Sequence, residues 1–334
     1  MRRKLPFDIV IFMKIASVCT SARKDFKLFM KPKIIVICGP TGVGKTSTAI
    51  GLALDFQGEI IGADSMQVYR HMDIGTAKPT PAEQARVPHR MIDVIDPDEP
   101  FDAARFSEAA FEEMNAVAGM GKIPFVVGGT GLYIKSLIHG LSRARPADAD
   151  VLSRLKKEAS EYGLQALHKR LAQCDPEAAA KIHCNDAFRI MRALEIFEVT
   201  GKPLSAYQKA HGFAPQKCHA LKIGLRLDRA VLYDRINRRV DQMIHEGLLG
   251  EVKGLLDKGY SAELKAMQSI GYRHMAEHIL NQVPWEETCQ TLKRDTRRYA
   301  KRQMTWFSAD PDIKWFAPDA HAEMHLQIKQ FLNA

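Results

Sequence analysis

Residues 33–38 read KIIVIC, an unbroken apolar, β-branched run of the length and kind that a parallel strand buried on both faces requires. Gly39 follows at once and residues 48–56 favour a helix, so the segment predicts strand, loop, helix. EIIGA at 59–63 predicts a second strand ending at Asp64, and IPFVV at 123–127 a third, ending in Gly128 and Gly129. Strands alternating with helices predict an α/β fold, a parallel sheet flanked by helices whose ligands gather at the carboxyl ends of the strands.

From about Leu141 the pattern changes to several helices punctuated by Pro146, Gly163 and Pro176. KIGLRL at 222–227 then predicts a return to the sheet, long amphipathic helices follow, and a last apolar stretch lies near 313–316. The expected organisation is a core over 33–142 and 218–320 with an all-helical insertion at 143–217. An extension over 1–32 and a tail over 321–334 complete it.

A length of 334 residues suits two domains or one domain with a large insertion. With 46% hydrophobic and 26% charged residues, disorder, collagen-like repeats and a disulfide scaffold are excluded. The net charge of +9 suggests a nucleic-acid partner, but its distribution tempers that: 1–33 holds nine basic and two acidic residues, a local +7 that leaves +2 for the rest. Any RNA site must therefore be a local patch. Six cysteines, at 19, 38, 174, 184, 218 and 289, include no C-x-x-C pair, which fits a reducing compartment. The first residues superficially resemble a secretory signal, but Asp8 and Lys14 interrupt the apolar run and Met30 offers an alternative start. No stretch approaches the roughly 20 apolar residues of a membrane span, so a cytoplasmic protein without a membrane partner is expected.

GPTGVGKT, from Gly39 through Pro40, Thr41, Gly42, Val43, Gly44 and Lys45 to Thr46, satisfies G-x-x-x-x-G-K-S/T between a strand and a helix. Such a loop wraps backbone N–H groups around a phosphate at a helix N-terminus. Lys45 would meet the phosphate oxygens and Thr46 would help hold Mg²⁺. The motif binds a di- or triphosphate without naming the reaction. The third strand ends FVVGGT, without the acid that phosphate-hydrolysing relatives of this loop usually carry. Asp64 is the alternative acid, either a general base in the same cleft or a cap of the turn that follows. Thr130 either lines a ligand site or belongs to a tight glycine turn.

Two basic segments lie further on. Arg235 and Arg239, four apart, can present two guanidinium groups to one diphosphate. Lys293, Arg297 and Lys301 form one helical row and Arg294, Arg298 and Arg302 the next, a face suited to a nucleic-acid backbone or simply to water.

Taken with GPTGVGKT, the stretches ADSMQVYRHMDIGTAKP (63–79), VPHRMIDVIDP (87–97), VVGGTGLYIKSL (126–137), HCNDAFRIMRALE (183–195), QSIGYRHM (268–275) and TRRYAKRQMTWF (296–307) resemble the bacterial tRNA dimethylallyltransferases, also called tRNA isopentenyltransferases. The resemblance implies a P-loop NTPase-like core that transfers a dimethylallyl group from dimethylallyl diphosphate to N6 of an adenine. In that family the adenine is at position 37, beside the anticodon, in tRNAs reading codons that begin with uridine, and diphosphate leaves.

The resemblance further implies Asp64 as general base, with Thr130 and Arg239 also catalytic. The phosphate loop, Mg²⁺ at Thr46, and Arg235 would hold the diphosphate, with Thr41 donating toward the bridging oxygen. The tRNA anticodon stem-loop would meet Asp64, Ser65, Met66 and Gln67, Thr130, then Phe188, Arg189, Ile190, Met191 and Arg192, and finally Gln268, Ser269, Ile270, Gly271, Tyr272 and Arg273. The insertion would clamp the stem-loop of a monomeric enzyme, with Tyr69, Phe188 and Tyr272 as candidates either for stacking on bases or for the core. Two other readings stay open: a P-loop kinase using ATP, and an RNA-binding protein without turnover.

Overall fold

The structure, a computed structural model, describes residues 31–140, 148–211 and 216–334. The expected extension over 1–32 therefore lies almost wholly outside the described residues. The chain divides into two compact units, one made of residues up to Ile138 together with Lys217–Ala334, the other of His139–Gln216.

The first unit is built on a six-stranded parallel sheet in the order β3-β2-β4-β1-β5-β6. Its strands are β1 (Lys33–Cys38), β2 (Glu59–Gly62), β3 (His89–Arg90), β4 (Pro124–Gly128), β5 (His219–Leu225) and β6 (Lys314–Phe316). The apolar run of β1 is buried along nearly its whole length and pairs with β4 on one side and β5 on the other. Helices cover it: α1 (Lys45–Asp55), α2 (Pro81–Arg86), α3 (Ala103–Gly119) and α4 (Gly131–His139) come from the first half. From the second half come α10 (Arg229–His245), α11 (Leu248–Asp257), α12 (Tyr272–Asn281), α13 (Trp285–Ser308) and α14 (His321–Asn333). Ile35, Ile37, Leu52, Phe125, Ile223 and Ile236 meet in one core.

Three features differ from the expectation. β5 spans His219–Leu225 rather than 222–227, because Lys222 is tolerated inside it: its buried ammonium pairs with Asp310 at 2.7 Å. The edge strand β3 has two polar residues and left no apolar signal. The expected tail forms α14, whose Met324 and Ile328 enter the core, while Lys33 Nζ donates to the carbonyls of Phe331 (3.2 Å) and Leu332 (2.9 Å).

The second unit consists of α5 (Ala149–Tyr162), α6 (Leu164–Cys174), α7 (Pro176–Lys181), α8 (Ala187–Thr200) and α9 (Leu204–His211). Asp148, Asp175 and Asp186 cap three of these helices with their side chains. Leu155, Leu167, Leu171, Ile190 and Leu194 form a core of its own.

Candidate active site

The loop between β1 and α1 is shaped by glycine. Gly39, at φ 143°, lies so close to β5 that a Cβ there would stand 2.6 Å from the Leu225 carbonyl oxygen. Gly44, at φ 107°, precedes α1 without a side-chain cap, leaving the first N–H groups of that helix open to an anion. Thr41, Gly42, Gly44, Lys45 and Thr46 line a cavity of about 870 Å³. Gly39, Pro40 and Val43 are buried and set the path of the loop. Lys45 Nζ donates to the Pro40 carbonyl at 2.8 Å, and burial pushes its pKa down to about 8 against the opposing charge of Asp64.

A second close approach sets the acid. A Cβ at Gly128 would fall 2.0 Å from the Ala63 carbonyl oxygen, so the ends of β4 and β2 nearly touch. Thr130 thereby comes beside Asp64 and Ser65: its N–H donates to Ala63 (3.2 Å) and its hydroxyl accepts from the Ser65 N–H (3.1 Å). Asp64 Oδ1 accepts from the Met66 N–H at 2.9 Å, so one carboxylate oxygen caps the turn while the residue lines the cavity.

α10 lies against the phosphate loop, with the Ile236 side chain 3.0 Å from where a Gly42 Cβ would be. The same helix delivers Arg235, which donates to the Val43 carbonyl at 3.3 Å, and Arg239. Burial pushes the Arg239 pKa down while the Asp64 charge holds it up.

A second cavity, of about 580 Å³, adjoins the first. Thr41, Asp64, Arg239 and Tyr299 line both, forming a seam between them. Ser65, Met66 and Gln268 through Arg273 line the second cavity, so these distant segments come together as expected, whereas Gln67 turns to the first. Arg273, Arg298 and Arg302 give the second cavity a cationic wall. Asp295 holds part of it in place, pairing with Arg273 at 3.2 Å and Arg298 at 3.5 Å. The other predicted basic row does not join this wall. Lys293 pairs with Asp241 at 2.5 Å and Arg297 donates to Asn237 at 2.6 Å, fastening α13 to α10.

The profile of the IPP transferase family matches residues 67–310, and that of isopentenyl transferases matches 32–94. A tRNA dimethylallyltransferase of Desulfosudis oleivorans is 60% identical over 304 residues, covering 91% of this chain and 97% of that protein. The chain belongs to the tRNA dimethylallyltransferase family. A crystal structure of the tRNA isopentenylpyrophosphate transferase from Bacillus halodurans matches with a TM-score of 0.68 and 44% identity, over 91% of this chain and 97% of that one. A eukaryotic dimethylallyltransferase captured acting on tRNA matches with a TM-score of 0.73 at 31% identity, over 90% and 77%. The P-loop-like α/β fold expected from the sequence is the fold observed.

Some residues singled out on family resemblance are engaged, in part or wholly, inside the protein. Tyr272 is fully buried, its hydroxyl donating to Glu251 at 2.5 Å, and Tyr69 is a core residue too. Ile190 is fully buried and Met191 leans on the core of the helical unit. Arg192 pairs with the buried Glu195 at 2.7 Å. Phe188, 78% exposed, and Arg189 remain available at the start of α8. Sequence reasoning missed Tyr299, Gln303 and Glu251. The first two share a helix face by their four-residue spacing, a signal hidden among the surrounding arginines.

No helix of the described residues is long and apolar enough to cross a membrane. Among them there is also no cluster of three or more His, Cys, Asp or Glu able to hold a metal.

Proposed function

We propose that this chain transfers the dimethylallyl group of dimethylallyl diphosphate to N6 of adenine 37 in tRNAs reading codons that begin with uridine, releasing diphosphate. The observation that carries this reading is the seam: a phosphate-loop cavity and an arginine-walled cavity share Thr41, Asp64 and Arg239. The first suits an allylic diphosphate and the second an adenine taken out of its stack, which modification of a base requires.

In the reaction the N6 lone pair attacks C1 of the allyl group as the C1–O bond breaks, and the electron pair of that bond leaves with diphosphate. Asp64 takes the N6 proton, raising the nucleophilicity of an amine whose lone pair is spread into the ring. Thr130 supports the turn that carries Asp64. Lys45, Arg239 and Arg235 stabilise the charge gathering on the departing diphosphate, and the Thr41 side chain faces its bridging oxygen.

The donor set fits Mg²⁺, a hard cation that keeps several waters and binds through few protein oxygens plus phosphate. The Thr46 hydroxyl at the cavity wall is such an oxygen. Bound there, Mg²⁺ would neutralise charge on the diphosphate.

Contacts with the anticodon stem-loop are assigned to Ser65, Met66, Gln67, Gln268 through Gly271 and Arg273, and to Phe188 and Arg189 of a clamping helical unit. We assign the enzyme to the cytoplasm as a monomer. Incubation with Mg²⁺, unmodified tRNA and either dimethylallyl diphosphate or ATP, followed by nucleoside mass spectrometry, tests the reading. Prenylated adenosine and free diphosphate without ATP are expected, whereas phosphorylation from ATP without prenylation would make the protein a kinase.

A further inference from the structure

Gln303, on α13, is a buried polar residue. Its side chain is committed at both ends. The Oε1 atom accepts from the Thr41 backbone N–H at 2.8 Å, and Nε2 donates to the Gly129 carbonyl at 2.9 Å. Thr41 belongs to the phosphate loop after β1, and Gly129 to the turn after β4 that carries Thr130. One amide therefore ties the loop that faces the donor to the turn that supports the general base. Tyr299, one helical turn earlier, lies with its hydroxyl near Thr130 and Gln303, and the residue lines both cavities. Thr130 in turn is bonded to Ser65, the neighbour of Asp64.

A continuous path thus runs from Thr41 through Gln303 to Gly129 and its neighbour Thr130, and on through Ser65 to Asp64, with Tyr299 lying alongside it. The path joins the loops after β1, β4 and β2, and α13 is the element that bridges the first two. Each partner is needed for the reaction proposed above, but the reaction does not by itself require the bridge.

We propose that Gln303 and Tyr299 are positioning residues that fix the donor loop relative to Asp64, and so set the approach of N6 to C1. Resting on the transferase reading, this locates rate control in a bracket that contacts neither proton nor leaving group. An amide suits the task because it satisfies one N–H and one carbonyl at once. A carboxylate or an apolar residue leaves one of these buried groups without a partner.

The test measures single-turnover prenylation, tRNA binding and inorganic diphosphate binding for the wild type, Tyr299→Phe, Gln303→Glu and Gln303→Ala, with thermal unfolding of each. In Tyr299→Phe, which removes only the hydroxyl, the transfer rate should fall about 10- to 100-fold, the range expected when reacting atoms are misplaced by up to an ångström. Binding of tRNA and of diphosphate should each stay within about twofold, since either half of the site can still be occupied. Gln303→Glu should also slow transfer, and combining it with Tyr299→Phe should cost less than the product of the single effects, because both cut one path. Unchanged transfer in Tyr299→Phe, or a loss matched by equal loss of tRNA or diphosphate binding, overturns the bracket. A wild-type protein that prenylates no tRNA overturns the transferase reading itself, and is read before any variant.

Discussion

Lys45 reaches back to the Pro40 carbonyl of its own loop, at 2.8 Å, and in that position burial lowers its pKa to about 8. The ammonium is thus held by a neutral carbonyl in a place where a diphosphate would offer it negative charge.

A pH dependence follows, and its sign is fixed. Below pH 8 Lys45 is charged before the donor arrives; above it, binding must first take up a proton. Affinity for dimethylallyl diphosphate should therefore fall as pH rises through about 8, by up to about tenfold per pH unit. Calorimetry in buffers of different ionisation enthalpy should detect the uptake, and Lys45→Arg should flatten the slope because a guanidinium keeps its proton.

Asp64→Asn should preserve the bond from the Met66 N–H, since an amide oxygen also accepts, though more weakly than a carboxylate. Turnover should drop about 10²- to 10⁴-fold, the usual contribution of a general base, while tRNA binding measured by filter retention stays near wild type. Near wild-type turnover would remove Asp64 from proton transfer.

Arg239→Ala takes a half-buried cation from the seam and leaves the Asp64 charge less balanced. Steady-state kinetics should show the loss chiefly in kcat/KM for the diphosphate donor, by about 10²-fold, as removing a cation that faces an anionic ligand does.

Glu251 accepts the N–H groups of Asp73 (2.9 Å), Ile74 (2.8 Å) and Gly75 (3.1 Å) as well as the Tyr272 hydroxyl (2.5 Å). It joins the loop after β2 to the wall of the second cavity. Glu251→Ala should destabilise the protein by about 2–3 kcal/mol in urea unfolding, the cost of leaving such groups without their charged acceptor.

Within α8 neighbouring residues should part company. Phe188→Ala removes an exposed ring and should weaken tRNA binding with little change in melting temperature. Ile190→Ala opens a cavity in a fully buried position and should cost about 2–5 kcal/mol, seen by thermal unfolding of the full chain.

Much of this was legible in the sequence. The phosphate loop announced itself because glycine, lysine and threonine must stand at fixed offsets between a strand and a helix. β1, β2 and β4 were legible because strands buried on both faces are continuous apolar runs. β3 was not, since a two-residue edge strand carries no period. Asp64 could be found but not assigned, because a turn cap and a catalytic carboxylate look alike in sequence, and one of its oxygens does cap the turn. Gln303 was hidden because its partners are backbone groups 262 and 174 residues away, and backbone partners leave no trace in side-chain spacing.

The central strand β1 has β4 on one flank and β5 on the other, and β5 begins only at His219. During synthesis from the amino terminus, the phosphate loop emerges early but its supports arrive late: β5 after the whole helical unit, and α13 later still. The first half of the chain must therefore wait on the ribosome with one edge of β1 unpaired, a state prone to association with other chains. Competence for the donor is gained only after α13 has been made, so chaperone protection of the nascent chain should matter more for this architecture than for one whose central strands are neighbours in sequence.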